Sequence, residues 1–238
     1  MRRLIRACVD LLLPRACARC RGEVQGDDAF CGGCAAALTR LPRGGCPLCQ
    51  APFAAKGGRC GPCARERLPL VRIDAEVPFE GEVATWVHRF KYPARGLAGL
   101  DPAPGAALAS LLRDAASRLD APPALLVPVP MHPLRRRARG FHPAGELARS
   151  LAAVLGVPVA LDALATTRAI PSQTGLDRAA RRRNVRGAFV AARPIGRVGC
   201  VALVDDVVTT GATLAECSRA LRRAGVRHVV ALCAARTL

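Results

Sequence analysis

The sequence predicts an α/β fold: a mostly parallel sheet flanked by helices, joined to a small N-terminal Cys-rich module. Three observations carry that prediction. From about residue 70 onward, apolar strand patterns alternate with helical ones. The clearest strand, Val201-Ala-Leu-Val204, runs into two adjacent carboxylates, Asp205 and Asp206, and then into a hydroxyl-and-glycine turn that opens a helix. Before residue 64, eight cysteines fall into four Cys-x-x-Cys pairs.

The chain has 238 residues, room for a small domain at 1–70 and a medium one at 71–238. Met1 to Leu13 is largely apolar, but Arg6 and Asp10 interrupt it and no convincing small-x-small cleavage site follows. It reads as a short amphipathic helix ended by Pro14. No apolar run approaches the roughly 20 residues of a membrane span. A cytoplasmic protein without membrane insertion is expected. The formal net charge is +18, and since Lys56 and Lys91 are the lysines, 34 of the 36 basic residues are Arg. A surface this basic attracts polyanions, nucleic acid above all. A merely solvated surface has the same composition, because composition does not put charge on one face.

Cys17-x-x-Cys20 is followed by Cys31-x-x-Cys34, and Cys46-x-x-Cys49 by Cys60-x-x-Cys63; the second set repeats the first 29 positions later. A Cys-x-x-Cys pair bends into a knuckle with two thiolates aimed at one metal, and two knuckles complete a tetrahedral S4 site. Zn²⁺ is the favoured occupant, giving two structural ions with no open coordination position. Disulfides are the competing reading and do not suit a cytoplasmic protein. Sequential and interleaved ligand pairings both fit the spacing. Two Zn(Cys)4 centres lower the effective charge to about +14. The segment around the ligands is poor in large apolar residues, so the metal is its staple. Cys8, Cys200, Cys217 and Cys233 read as small hydrophobes.

After a short basic stretch (Arg65 to Arg67), Leu70 to Phe79 alternates like a strand. Glu80 to Tyr92 reads as a helix with Val83, Val87 and Phe90 toward the core. Ala103 to Leu119 is a second helix, and Ala124 to Pro130 is an apolar strand halted by prolines. Ala144 to Leu155 places Leu147, Leu151, Val154 and Leu155 on one face, with Pro143 near its first turn. Gly199 to Val204 is the strand before the acidic pair. Ala212 to Ala224 is a helix with Leu214, Cys217, Ser218 and Leu221 inward, closed by Gly225, and Arg227 to Ala234 is the last strand. Ligands of such sheets sit beyond the carboxyl ends of the strands, where Asp205, Asp206 and Val129 to His132 lie.

Val201 to Thr213 resembles the phosphoribosyl-pyrophosphate (PRPP) signature of type I phosphoribosyltransferases: apolar strand, acidic pair, two small apolar residues, then Thr209-Thr210-Gly211-Ala212-Thr213. The whole chain resembles the ComF family, a double zinc ribbon joined to a phosphoribosyltransferase domain. Arg89-Phe-Lys91-Tyr92, Val127-Pro-Val-Pro130 with Arg136 to Phe141, and Gln173-x-x-Leu176-x-x-x-x-Arg181-x-x-Asn184-Val185 running into Gly187-Ala-Phe189 carry the likeness. One departure is Arg139-Gly-Phe141-His142-Pro143, where the family commonly has Asn-Gln after the Phe; position 142 either makes a side-chain contact or only caps the helix.

The resemblance implies roles. Asp205 and Asp206 bind the ribose diol, directly or through Mg²⁺. Thr209, Thr210, Gly211, Ala212 and Thr213 hold the 5′-phosphate with backbone N–H groups at a helix start. Val129, Pro130, Met131 and His132 form the pyrophosphate loop, and Gln173, Arg181 and Asn184 act from a catalytic flap over 166–187. Lys91 is either a wanted ammonium or an exposed helix-end lysine. Trp86 and Tyr92 are either core or base-stacking groups, and His88 and His132 are general acids or polar surface groups. The implied activity is Mg²⁺-dependent transfer of phosphoribose from PRPP to an unnamed acceptor, in natural competence and DNA uptake. The alternative is a single-stranded DNA-binding competence factor for which PRPP is a regulatory ligand without turnover. Partners at the inner face of the membrane suit either reading. The oligomeric state is not legible.

Overall fold

Each expected strand and helix of the larger domain is present, most with its bounds shifted by a few residues. The computed structural model describes residues 16–24, 26, 28–51, 58–65, 68–93, 101–171, 177–196 and 198–238; the expected N-terminal helix, Cys8 and Gln173 lie outside these. The elements in order are α1 (Gly32–Ala36), α2 (Gly61–Arg65), β1 (Ile73–Pro78), α3 (Gly81–Lys91), α4 (Ala103–Ala116), β2 (Leu125–Pro128), α5 (Pro133–Arg139), α6 (Pro143–Leu155), β3 (Leu164–Thr166), α7 (Arg178–Val185), β4 (Phe189–Ala191), β5 (Cys200–Val208), α8 (Ala212–Arg223) and β6 (His228–Arg236).

The main sheet has the order β1-β6-β5-β2, with every neighbouring pair parallel. A parallel sheet is covered on both faces, and its central strands accordingly read as continuous apolar runs. On one face α4 lies across β1 and β6, α6 lies across β5 and β2, and α3 packs on α4. On the other, α8 covers β5 and β6, with the antiparallel β3–β4 ribbon and α7 against it. All four strands therefore point their carboxyl ends at the same edge, which is where the acidic pair falls.

The structure corrects one inward-facing position and decides others that the sequence left open. Val154 is exposed, because α6 turns its Leu147–Leu151 stripe to the sheet and the end of the helix overhangs it. Trp86 is core, its ring 5.3 Å from that of Phe30 in the Cys-rich module. Tyr92 is exposed, and Phe90 is partly buried, edge-on to Phe141 at 5.6 Å. Gly105 allows this approach, since a Cβ there would meet the Phe90 ring at 3.3 Å. The signature strand also continues through the acidic pair to Val208.

The Cys-rich module shares both cores of the larger domain. Cys17, Phe30 and Leu38 join the cluster under α3 and α4; Leu41, Cys46, Leu48 and Cys63 join the cluster on the α8 face. The module also occupies the outer edge of β1. Ile73 N–H donates to Pro47 O (2.8 Å), Leu41 N–H donates to Glu76 O (2.8 Å), and the Gln50 amide bonds both the N–H and the C=O of Ala75 (3.0 and 2.9 Å). An edge strand left bare is a template for further strand pairing, and here a turn rather than a strand closes it.

Candidate functional site

A cleft of about 650 Å³ opens at the carboxyl end of the sheet, and parts of all four strand ends reach it. Phe79 follows β1, Thr237 follows β6, Asp205 to Val207 and Thr209 come from the end of β5, and Val129 to His132 follow β2.

The floor is charged. Asp206 is buried and its Oδ2 lies 2.8 Å from Lys91 Nζ at the end of α3. Lys91 is thus a site residue, and not a free helix-end lysine. Burial pushes its ammonium down, but the two carboxylates outweigh this and hold its pKa above the ordinary value. Asp205 is pushed up to about 7 by burial and by the neighbouring Asp206 charge, which Lys91 only partly offsets. The two carboxylates also bond backbone of their own strand: Asp206 N–H donates to Asp205 Oδ1 (3.0 Å) and Val207 N–H to Asp206 Oδ1 (2.7 Å).

Two loops flank this floor. In the first, Val129 N–H donates to Val204 O (2.9 Å), tying the loop to β5. His142 Nε2 donates to Val129 O (2.9 Å), so position 142 makes a side-chain contact to the loop and does not cap α6 with its ring. Burial lowers the His142 pKa, and the bond to Val129 O only partly offsets this. His132 caps α5, its Nδ1 accepting from Leu134 N–H (3.3 Å). In the second loop, Gly211 has φ +72 and starts α8, a conformation that glycine adopts without strain. Thr209 and Thr213 line the cleft, whereas Thr210, Gly211 and Ala212 border two neighbouring cavities. Thr210 Oγ1 accepts from Ala212 N–H (3.4 Å).

The 166–187 segment is held at its base by the β3–β4 ribbon. Asp177 caps α7 by accepting from Ala180 N–H (2.7 Å). Arg181 reaches the cleft. Asn184 is not in the cleft; its Nδ2 donates to Pro171 O (3.2 Å), and its carbonyl accepts from Arg168 (2.8 Å). It braces the segment from within. Gly187 N–H donates to buried Glu216 Oε2 on α8 (3.0 Å), linking the segment to the helix after the second loop. Sequence reasoning missed Arg135, Arg139 and Thr237 as cleft residues. Arg135 Nη2 donates to Ile170 O (2.5 Å), and the Arg139 guanidinium lies 4.8 Å from the Tyr92 ring centre. The quoted Arg136–Phe141 motif contained Arg139, but no spacing rule separated it from its arginine neighbours.

The cysteines gather as Cys17, Cys20, Cys31, Cys34 and as Cys46, Cys49, Cys60, Cys63, with the four Sγ atoms of each group within 4.8 Å of one another. The pairing is therefore sequential. Sγ–Sγ separations of 3.7 Å (Cys20–Cys31) and 3.4 Å (Cys49–Cys60) are close to the edge of about 3.8 Å that follows from four Zn–S bonds of about 2.3 Å in a tetrahedron. Burial pushes the Cys17 and Cys46 thiols up, but backbone N–H donors from both Cys-x-x-Cys pairs of each group outweigh it and pull both down to about 6. The neighbouring cysteines push the Cys34 thiol up, and burial together with such neighbours pushes Cys49 and Cys63 up, so one thiol of each group is the readily ionised one, and the four-sulfur geometry of both groups fits structural Zn²⁺.

The family model of the double zinc ribbon domain matches residues 8–64. Fold and site together define a class: a double zinc ribbon built into the edge of a parallel α/β domain. DNA utilization protein YhgH of Salmonella typhimurium is 32% identical over 237 residues, spanning 96% of this chain and all of that one. The protein of the same name from Escherichia coli K12 is 31% identical over 238 residues with the same coverage, and competence protein F of Haemophilus influenzae is 29% identical over 221 residues, 90% of this chain and 93% of that one. The chain belongs to the ComF family that includes these proteins. Among solved structures, the glutamine PRPP amidotransferase of B. subtilis, complexed with ADP and GMP, superposes with a TM-score of 0.39 at 21% identity, over 60% of this chain and 30% of that one. Among the described residues, no helix is long and apolar enough to cross a membrane.

Proposed function

We propose that the protein binds PRPP with Mg²⁺ in the sheet-end cleft and transfers its phosphoribosyl group to an acceptor, releasing pyrophosphate. One observation carries this: a floor of Asp205 and Lys91-paired Asp206 lies in one cleft between the Val129–His132 loop and Thr209 and Thr213 of the loop that opens α8. The carboxylates are placed to accept from the ribose 2′- and 3′-hydroxyls. Thr209 to Thr213 offer hydroxyls and N–H groups at the start of α8 to the 5′-phosphate. Val129 to His132, with Arg135 and Arg139 beside them, face the pyrophosphate. The two carboxylates of the floor suit a hard cation, and Mg²⁺ bound with PRPP would neutralise the departing pyrophosphate. In the transfer, the C1–O bond breaks with its electron pair leaving on pyrophosphate, a bond from the acceptor's nucleophilic atom to C1 forms, and the acceptor loses its proton. Arg181 and the segment it sits on would screen C1 from water. The protein works in the cytoplasm on this reading. Calorimetric titration with Mg²⁺ and PRPP tests it: saturable binding that Asp205→Asn plus Asp206→Asn abolishes is expected. Binding unchanged in that double variant removes the assignment.

A second reading rests on arginines outside the cleft. Arg183 and Arg186 of the α7 end and Arg223 of α8 line a cavity of about 570 Å³ whose acidic member is Glu216. Relatives carry the names DNA utilization and competence protein. Phosphate contacts from such a groove suit single-stranded DNA, with PRPP as a regulatory ligand. Affinity falling steeply with salt is expected; affinity flat with salt, or no binding, ends that reading.

A further inference from the structure

Five arginines line the cavity between α7 and α8, three from the end of α7 and the residue after it and two from α8, against one carboxylate, Glu216. Neither aspartate of the cleft floor reaches it. Two segments nevertheless belong to both spaces. Thr210 and Ala212 line the cavity, whereas Thr209 and Thr213 of the same loop line the cleft. Arg183, Arg186 and Gly187 line the cavity, whereas Arg181 of the same segment lines the cleft. Each segment thus shows one side to the cleft and another to this cavity.

Much of this charge has nothing to answer it. Arg219 pairs with Glu216, whose Oε2 also accepts from Gly187 N–H (3.0 Å). Among the described residues, Arg183, Arg186 and Arg223 have no ion-pair partner. Thr210 Oγ1 accepts from Ala212 N–H (3.4 Å), which leaves its own O–H to donate. Left to themselves, the guanidinium groups of α7 and α8 repel one another across the cavity, and this pushes the 166–187 segment away from the loop that opens α8. A multivalent anion turns that repulsion into bonds on both walls. The planar fork of a guanidinium matches two oxygens of a phosphate, and three unpaired forks call for several phosphates in a row rather than a lone carboxylate. The volume, about 570 Å³, is in the range of small-molecule sites.

We propose that the α7–α8 cavity is a second phosphate site, apart from the cleft, which takes a run of neighbouring phosphates, and that its occupation tightens Mg²⁺–PRPP binding. The site rests on the cavity alone, and the coupling rests on the PRPP reading. An anion held by both walls fixes the 166–187 segment against α8, and so holds Arg181 over the cleft before PRPP arrives. The free energy of ordering that segment is then no longer charged to PRPP binding.

The test uses the full-length, zinc-loaded protein at fixed ionic strength and fixed free Mg²⁺. Two probes carry the same chemistry from different sources: inorganic triphosphate, and a thymidine oligonucleotide with its phosphates on a strand. Calorimetry reads the binding of each probe, then Mg²⁺–PRPP affinity with and without it. At least one probe is expected to bind and to tighten Mg²⁺–PRPP by about fivefold or more, and PRPP should tighten that probe by the same factor. The probe that does so names the source of the phosphates. Arg183→Gln plus Arg223→Gln, checked for folding by metal content and thermal midpoint, should weaken the probe by about tenfold or more. Glu216→Gln keeps an acceptor for Gly187 N–H and removes the opposing charge, so it should tighten the probe by about twofold or more, a gain that misfolding cannot imitate. Binding of neither probe, equal binding by a folded arginine variant, or no gain in Glu216→Gln overturns the site. A bound probe that leaves Mg²⁺–PRPP affinity unchanged or lowers it overturns the coupling. If Mg²⁺–PRPP does not bind the wild type, the PRPP reading fails on its own and takes the coupling with it. The phosphate site is then decided by how the probe responds to the arginine and Glu216 variants.

Discussion

The two four-cysteine turns repeat one another at an interval of 29 residues, with the leading turn's backbone hydrogen bonds shared, and then spend the repeat differently. Cys17 N–H donates to Gly22 O as Cys46 N–H does to Ala51 O, and Arg21 N–H to Cys17 O as Gln50 N–H to Cys46 O. The residue after each leading Cys-x-x-Cys is left-handed, with φ 65 at Arg21 and 54 at Gln50. From there the two diverge. Arg21 reaches outward to Asp101 (2.7 and 3.2 Å), which also receives Arg89. Gln50 turns inward to the backbone of β1 and to buried Arg236. The first knuckle fastens surface helices; the second closes a strand and borders a cavity next to the cleft. A shared metal geometry fixes only the turn, and one side chain on that turn decides what it is fastened to.

The comparison breaks or sharpens most under loss of a thiolate. Cys60→Ser and Cys31→Ser remove equivalent ligands. Structural Zn²⁺ is worth about 10–16 kcal/mol in isolated fingers, comparable to the stability of a whole domain, so each should cost one ion and a large drop in unfolding midpoint. Only Cys60→Ser should also abolish Mg²⁺–PRPP binding, since it alone releases the β1 edge beside the loop at Thr209. Equal loss of binding in both variants would erase the distinction. Metal analysis and calorimetry read this directly.

Next in size is the cleft itself. Lys91→Met strands a buried Asp206 carboxylate, a change that typically costs about 3–5 kcal/mol. Urea unfolding should show the loss, with both zinc ions retained, and adding Asp206→Asn should restore much of it. A Lys91→Met variant as stable as the wild type would mean that solvent already serves Asp206.

Glycine substitutions then isolate the two side chains, because glycine accepts the left-handed backbone that both sites need. Gln50→Gly leaves Ala75 and Arg236 with unpaired buried groups, at about 2–3 kcal/mol. Arg21→Gly removes an exposed ion pair worth about 1 kcal/mol or less. A reversed order in urea midpoints would overturn the assignment of roles.

The smallest effect is a pH dependence. The His142 pKa is lowered by burial, so the native ring stays neutral where the unfolded one is charged. Its contribution is present above an ordinary His pKa of about 6.5 and is lost as pH falls through that value toward the lower folded one. Acid also strips zinc from thiolates. Excess Zn²⁺ should suppress that second slope and leave the first, which His142→Asn should remove. A pH profile identical in His142→Asn would place the titration elsewhere.

Much of this was legible because it depends on spacing. Cys-x-x-Cys repeats specify a metal site locally, and β5 announces itself by four apolar residues ahead of two carboxylates. The pairing of ligands was not legible, since both pairings share one spacing. Lys91 was ambiguous because its partner, Asp206, lies 115 positions away in sequence. The role of Gln50 was invisible for the same reason: nothing near residue 50 indicates that β1 will need its edge closed. Asn184 fitted a motif, but its amide was taken by Pro171 O, a contact that the motif does not encode.

The closure of β1 has a consequence for a zinc-starved cell. Without its ion the Cys46–Cys63 turn has little to hold it across Ile73, Ala75 and Glu76, and those backbone groups become an adhesive rim. Metal shortage would then show itself as clumping of the chain into insoluble assemblies, together with loss of ligand binding in the cleft beside that rim.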